Sequence, residues 1–375
     1  MKKFKILLAI RSLELGGAER QFVLLAQALQ KQAEVEILVC TLYGGGVLEA
    51  DLEGIPFICI HKKGKSDFLF LRRYRKVIAE YSPNMIYSFM PDMNLFSLFA
   101  SLKQCKIVWG FRSSSIEVSS LSFFSKLYFY TQRFFSPFAD RIICNSCDAI
   151  AFYKKYHYTM EKAAVVHNGI DINRFYRQDL EACELKKNLN IPQDYFVFGL
   201  SARMDIIKDY PLLARAAREI LQKYSAIVFV ALGKINPTIL QECQAILGEF
   251  EKHFLFLGAK KDIERYYRCF DCILSTSYTE SFSNSIAEAM ASGAIPIVSD
   301  CGESAIIANF NQDCYTYLFA PRDLQGLLLA LESLLQIREN KELVESLKIQ
   351  AIEHIKEHFS PQKMCEETLK ILREA

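Results

Sequence analysis

An excess of charge of either sign is what this chain has least of. Its 45 Lys and Arg stand against 43 Asp and Glu, which leaves +2 over 375 residues. That balance excludes the overall basic footprint of a nucleic-acid-binding domain, so no nucleic-acid partner is expected. Long apolar runs are missing too: none approaches the ~18 residues of a membrane-spanning helix. The opening "MKKFKILLAIRSLELGG" has a charged start but only the short run "ILLAI", with no small-residue cleavage site behind it. It reads as a first buried strand rather than a secretion signal, and a cytosolic or peripheral protein is expected. No low-complexity tract and no tandem repeat of short period is visible. Against these absences, 51% of the residues are hydrophobic, enough for two sizeable cores, and the length suggests two domains.

Cysteine is not scarce. Twelve are present, and two C-x-x-C pairs stand out, Cys144/Cys147 and Cys269/Cys272. They lie far apart in sequence, whereas zinc knuckles are usually close, and each adjoins an apolar strand. Small core residues are the reading set against zinc, and reduced thiols suit a cytosolic chain. His354 and His358 have helical i,i+4 spacing, but Ile-Lys-Glu stands between them instead of the H-E-x-x-H order of a metalloprotease. A solvated terminal helix is expected there, and no metal site.

Short apolar runs alternate with helical patterns along the chain. In the first half the strand candidates are "FKILLAI" (4–10), "VEILVC" (35–40), "PFICIH" (56–61), "MIYSF" (85–89), "KIVWGF" (106–111), "RIICNS" (141–146) and "AAVVHN" (163–168). A polar, irregular stretch over 168–193 follows. The rhythm then restarts at 195–202, 226–233, 253–259, 271–277, 294–300 and 315–320. Two consecutive doubly wound α/β domains with parallel sheets are the simplest account. In such sheets ligands bind outside the carboxyl ends of the strands, here in a cleft between the two domains.

Three features fall at strand ends. "RSLELGGAER" follows the first strand, and Gly16 and Gly17 precede a helix, so either a plain tight turn or close backbone approach to an anion is open. The full G-x-G-x-x-G fingerprint is lacking. "GLSARMDIIKDY" opens the second half, and its Arg203 and Lys208 sit near a helix start, where cations do not help the helix dipole. They are surface cations or a phosphate grip. The third feature is "ESFSNSIAEAMASGAIPIVSD" (280–300). Ser281, Ser283 and Ser285 are N-cap types, so a helix should run from about Ser283 to Ser292, with Glu280 just outside and Glu288 inside. A buried glutamate costs much unless it is paired or holds a ligand.

Glu280 and Glu288, with Ala289, Met290, Ala291, Gly293 and Pro296 behind them and Arg203 and Lys208 upstream, resemble the retaining nucleotide-sugar glycosyltransferases of family four, which have the GT-B fold. "NGID" followed by Phe175 is similar to that family's inter-domain signature, and "GGAER" to its N-terminal glycine loop. The resemblance covers essentially the whole chain. It implies an acceptor-binding Rossmann-like domain over 1–168, a linker over 169–193 and a donor-binding Rossmann-like domain over 194–356. A C-terminal helix from about 357 to 375 would pack back on the first domain.

By resemblance, Glu288 binds the ribose hydroxyls of the donor, and Glu280 orients the donor sugar. Arg203 and Lys208 hold the diphosphate and stabilise the leaving nucleotide. Ser281, Phe282, Ser283 and Asn284 complete the donor site, and Gly16 and Gly17 line it from the other domain. The implied reaction is transfer with retention of anomeric configuration, without a metal and without a cofactor beyond the nucleotide sugar, a UDP-sugar being the first expectation. Two departures stand out. Ser281 occupies a position where the family usually has Gly, and Arg112 stands where many relatives carry His. Arg112 faces the acceptor or the reacting sugar, or else makes a structural salt bridge.

The acceptor side is read from two aromatic segments. Residues 66–78 mix Phe and Leu with Arg72, Arg73, Arg75 and Lys76, and residues 121–138 are dense in Phe and Tyr. They form buried core helices with snorkelling cations, or an interfacial surface suited to a lipid-linked or cell-envelope glycan acceptor on the cytoplasmic membrane face. A nucleotide-sugar epimerase of the same fold, or a non-catalytic nucleotide-sugar-binding protein, stands as the alternative to transfer.

Overall fold

The computed structural model describes residues 3–64, 66–101, 105–113, 118, 121–311 and 317–375. The chain divides into two compact units, residues 1–169 with 361–375, and residues 170–360. Each is a parallel sheet wrapped by helices.

In the first unit the chain runs β1 (Phe4–Ile10), α1 (Gly17–Gln30), β2 (Val35–Thr41), β3 (Phe57–Cys59), α2 (Phe70–Tyr81) and β4 (Met85–Phe89). It continues through α3 (Pro91–Ser101), β5 (Lys106–Phe111), α4 (Phe123–Phe135), β6 (Arg141–Cys144), α5 (Cys147–Lys155) and β7 (Ala163–Val165). The strands order as β3-β2-β1-β4-β5-β6-β7, every pair parallel. Ile6 to Ile10 of β1 are fully buried, as expected of a strand covered on both faces.

The second unit contains α6 (Asp179–Asn188), β8 (Phe196–Ser201), α7 (Tyr210–Lys223), β9 (Ile227–Leu232), α8 (Pro237–Leu247) and β10 (Phe254–Gly258). Then come α9 (Ile263–Cys269), β11 (Cys272–Ser275), α10 (Asn284–Ala291), β12 (Ile295–Ser299), α11 (Ser304–Ala308), β13 (Tyr317–Phe319), α12 (Leu324–Ile337) and α13 (Lys341–His358). Its six-stranded order, β10-β9-β8-β11-β12-β13, repeats that of the first six strands of the first unit, which adds β7 at its edge. In both sheets the order reverses beside the first strand, between β1 and β4 and between β8 and β11. Crevices at such reversals are where open α/β sheets bind ligands.

Residues 169–193 carry α6, which lies with α9 in the second unit. The last helix, α14 (Pro361–Glu374), belongs to the first unit, where Met364, Cys365, Leu369 and Leu372 join the core around α1. Gly169 of the "NGID" run has a packing reason. A Cβ there would stand 2.9 Å from the Pro361 Cα, and its N–H and C=O are both bonded by Gln21 at 2.8 and 2.9 Å.

Some expectations are corrected. Residues 315–316 of the last expected strand lie outside the described residues, and β13 is seen over 317–319. The helix with His354 and His358 is not simply solvated. Leu347, Ala351 and Ile355 of α13 are buried, and His354 packs against Phe359. Of the two C-x-x-C pairs, Cys144, Cys269 and Cys272 are buried core residues, whereas Cys147 is exposed. Burial pushes the Cys144 and Cys269 thiols up to about 12.

Candidate donor site

The loop after β8 is built rigidly. Tyr210 Oη donates to Ala202 O at 2.7 Å, and Met204 N donates to Lys234 O at 2.9 Å. Gly233, at φ +136°, lets the neighbouring chain approach, since a Cβ there would fall 1.9 Å from Ala202 O. Asp205 caps a single 3-10 turn, Ile206–Lys208, and Asp209 in the left-handed region caps α7 through Leu212 N. These caps hold Lys208 at a defined place, and its carbonyl accepts from Thr276 Oγ1 at 2.7 Å.

From the other side of the strand-order reversal comes the loop after β11. Glu280 reaches Lys208 there, and the two form an ion pair in which each side chain is 18% exposed. The Glu280 backbone is set by a turn after β12. Gly302 has φ +57°, a Cβ on it would meet Glu280 O at 2.2 Å, and Glu303 N donates to Ser281 O at 3.0 Å. Glu303 is 1% exposed.

Helix α10 begins at Asn284 with Ser283 as its N-cap, one residue from the expected start. Ser283 makes no side-chain cap bond; its hydroxyl lies 3.3 Å from that of Ser285. Ser281, Phe282 and Ser283 are buried, Asn284 and Glu288 half-buried. Phe282 packs on Phe359 at 5.6 Å. Because residues 280–283 are not helical, Glu280 and Glu288 are not stacked on one continuous helix.

The remaining candidates are placed differently. Arg203 is 79% exposed and lies 3.7 Å from Asp205 alone among the ion partners of the described residues. Gly16 is the N-cap of α1 and Gly17 its first residue, both in the first unit. A side chain at Gly16 would collide with the Glu19 carboxylate. Arg112 follows β5. Its guanidinium donates to Tyr87 Oη at 2.9 Å and Asn168 Oδ1 at 3.3 Å, and covers the Phe89 ring at 4.6 Å. Its partners among the described residues are thus neutral groups and a ring face.

Sequence reasoning missed Asp205, Asp209 and Glu303. The first two are visible afterwards as N-cap types before a helix; Glu303 carried no local signal. Among the described residues no three His, Cys, Asp or Glu side chains group to hold a metal.

The arrangement is a cation and a carboxylate held together beside a helix start, at a strand-order reversal. Residues 15–174 match the Glycosyltransferase Family 4 domain and residues 195–337 the Glycosyl transferases group 1 domain. Both halves of the chain are glycosyltransferase domains. The chain is similar to an uncharacterized glycosyltransferase of Methanocaldococcus jannaschii, 22% identical over 272 residues, covering 68% of this chain and 66% of that protein. It is 25% identical over 208 residues to an Escherichia coli UDP-Gal:α-D-GlcNAc-diphosphoundecaprenol α-1,3-galactosyltransferase, 54% of this chain and 53% of the relative. The chain therefore spans less than two thirds of these relatives. Among solved structures, Anabaena HepE in complex with UDP superposes with a TM-score of 0.79 at 20% identity, covering 99% of this chain and 100% of that one. A Rickettsia africae glycosyltransferase gives 0.78 at 18%, over 100% and 99%. The fold is GT-B, two Rossmann-like domains.

Proposed function

We propose that the protein transfers a sugar from a UDP-sugar to a hydroxyl of a lipid-linked or cell-envelope glycan, with retention at the anomeric carbon. The observation that carries this is the half-buried Lys208–Glu280 pair. The two opposite charges satisfy each other at the strand-order reversal. A nucleotide sugar separates their tasks. Lys208 turns to the diphosphate and meets the charge that develops on the leaving nucleotide; Glu280 accepts from a hydroxyl of the sugar. The exposed Arg203 arm closes on the same diphosphate, and Glu288 takes the ribose hydroxyls. The start of α10 adds N–H groups near the anion. Lys208 and Arg203 do the work a metal would otherwise do, so chelation leaves turnover intact; loss with EDTA that manganese restores would overturn the metal-free step.

The UDP choice is supported by HepE, solved with UDP and with UDP-glucose. The lipid-linked acceptor is supported by the name of the Escherichia coli relative and by the surface of the first unit. Phe123, Leu127, Tyr130 and Phe134 form an exposed stripe on α4, and Phe68 and Leu69 are exposed just before α2. Exposed apolar patches of this kind mark interaction surfaces. Arg72 and Lys76 on α2 and Arg133 on α4 are exposed cations. We infer peripheral binding to the cytoplasmic face of an anionic membrane. No helix among the described residues is long and apolar enough to cross one.

The test is calorimetry with UDP and UDP-glucose on the wild type and on Lys208→Ala. Binding that weakens by one to two orders of magnitude supports the donor site. Equal binding by both proteins would remove it.

A further inference from the structure

The first unit has its own crevice at the matching place. Arg11 follows β1 and Asp92 opens α3 after β4, the two strands between which the order reverses. Arg11 Nη1 lies 3.5 Å from Asp92 Oδ2. Both line a cavity of about 710 Å³, within the size range of small-molecule sites. Lys62, after β3, lines it too. Its ammonium stands 5.9 Å from the Tyr43 ring centre and 5.1 Å from that of Phe70, and the Arg11 guanidinium is 5.7 Å from Tyr43. The two cations thus converge on one ring.

Asp92 is 8% exposed. Burial pushes its carboxyl up, and the charges of Arg11 and Lys62 pull it back. One carboxylate against two cations leaves the cavity positive. Met90, just before Pro91 and Asp92, has φ +78°, a conformation that persists in a side-chain-bearing residue only where the surroundings enforce it. Apart from Ser122 and Ser125 the rest of the wall is aromatic and aliphatic. Phe68 is 81% exposed and Phe124 48% exposed, and the α4 stripe continues outward from Phe124.

We propose that this cavity binds an amphiphilic anion, a diphosphate carried on an isoprenoid-like chain. Arg11 and Lys62 take the diphosphate, and Phe68, Phe124 and Tyr128 take the first carbons of the chain. The charge and the apolar rim choose this ligand together: a free diphosphate leaves the exposed Phe68 in water, and an uncharged lipid does not match the surplus positive charge of Arg11 and Lys62 over Asp92. The inference rests on the proposed transfer reaction only in naming the ligand as the acceptor's lipid anchor.

Farnesyl diphosphate, farnesol and inorganic diphosphate, titrated separately into the full chain below the detergent-like concentration of the lipids, test it. Farnesyl diphosphate should bind with one site per chain, and each of the other two at least tenfold more weakly. Saturating UDP should leave farnesyl diphosphate binding unchanged. Arg11→Gln with Lys62→Gln should weaken it at least tenfold, and so should Phe68→Ser with Phe124→Ser. Because Arg11 answers the buried Asp92, its loss could unfold the first unit. Lys62→Gln alone, which leaves the Arg11–Asp92 pair, should still weaken binding severalfold with an unchanged melting temperature. Displacement by UDP would place the diphosphate in the second unit and overturn the proposal. Equal binding of farnesol, or no effect of Lys62→Gln, would overturn it as well. Failure of UDP-glucose to bind, with farnesyl diphosphate binding intact, would instead sink the transfer reading and leave this site standing.

Discussion

The two units share the same reversal of strand order and differ in what their crevices carry. In the second, the Lys208–Glu280 pair is surrounded by buried serines, an N-capped turn and a positive-φ glycine that presses on the Glu280 backbone. In the first, the Arg11–Asp92 pair sits under aromatic walls that open onto exposed Phe68, Phe124 and the α4 stripe. The reversal of strand order that both sheets share thus sets where a crevice forms and leaves its chemistry to the loops. A hydrophilic donor suits the polar crevice, and an amphiphile suits the apolar one.

The largest effect should come from the polar crevice. Lys208→Ala is expected to weaken UDP binding about 10- to 150-fold, the worth of a charge-assisted hydrogen bond of roughly 1.5–3 kcal/mol. Calorimetry reads it. Arg203→Ala should fall at the low end of that range, because the side chain is free to find its phosphate only once the donor arrives. Glu280→Gln should lower kcat more than it raises KM, and Glu288→Gln the reverse, since ribose is held equally before and during reaction. Steady-state kinetics showing the same split for both acids would erase their difference.

The apolar side is broken by charge and by aromatics. Near an anionic surface each basic residue contributes about 1 kcal/mol, so Arg72→Ala with Lys76→Ala should cut flotation with anionic vesicles roughly thirtyfold at low salt. Neutral vesicles should bind poorly. Arg73 and Arg75 are unsuitable for this test. Arg73 donates to Ile60 O at 3.0 Å and pairs with Asp67, and Arg75 donates to Phe99 O at 3.0 Å, so both hold the fold. Wild-type protein that floats with no vesicle would point to a soluble acceptor.

The smallest effect concerns the support of the polar crevice. His354 lies under Phe359, which packs on Phe282. Burial holds its imidazole below the usual value, with His358 adding to the same direction. The unfolded chain then takes up the proton first. Stability should fall as pH drops through about 6.5 and level off once the lowered folded value is passed. His354→Leu should flatten that part of the melting-temperature profile; an unchanged slope would remove His354 as its cause.

Much of this was readable in the chain itself. Continuous apolar strands alternating with helices gave two parallel sheets, because a strand buried on both faces must be apolar throughout. The start of α10 was placed within one residue by its serines, and Lys208 and Glu280 were singled out by their position after strands. Helix α4 was ambiguous for a physical reason: a segment apolar all round usually reads as core, and only the packing of α3 beside it shows which face stays bare. Arg203 and Lys208 look alike in sequence, yet the capped turn holds Lys208 where Glu280 from another loop reaches it, while Arg203 stays exposed with only Asp205 near it among the ion partners of the described residues. Arg11, Lys62 and Asp92 follow three different strands, and no local pattern links them. They meet because β4 crosses over to lie against β1, and that adjacency is decided by the closing of the sheet rather than by any neighbour in the chain.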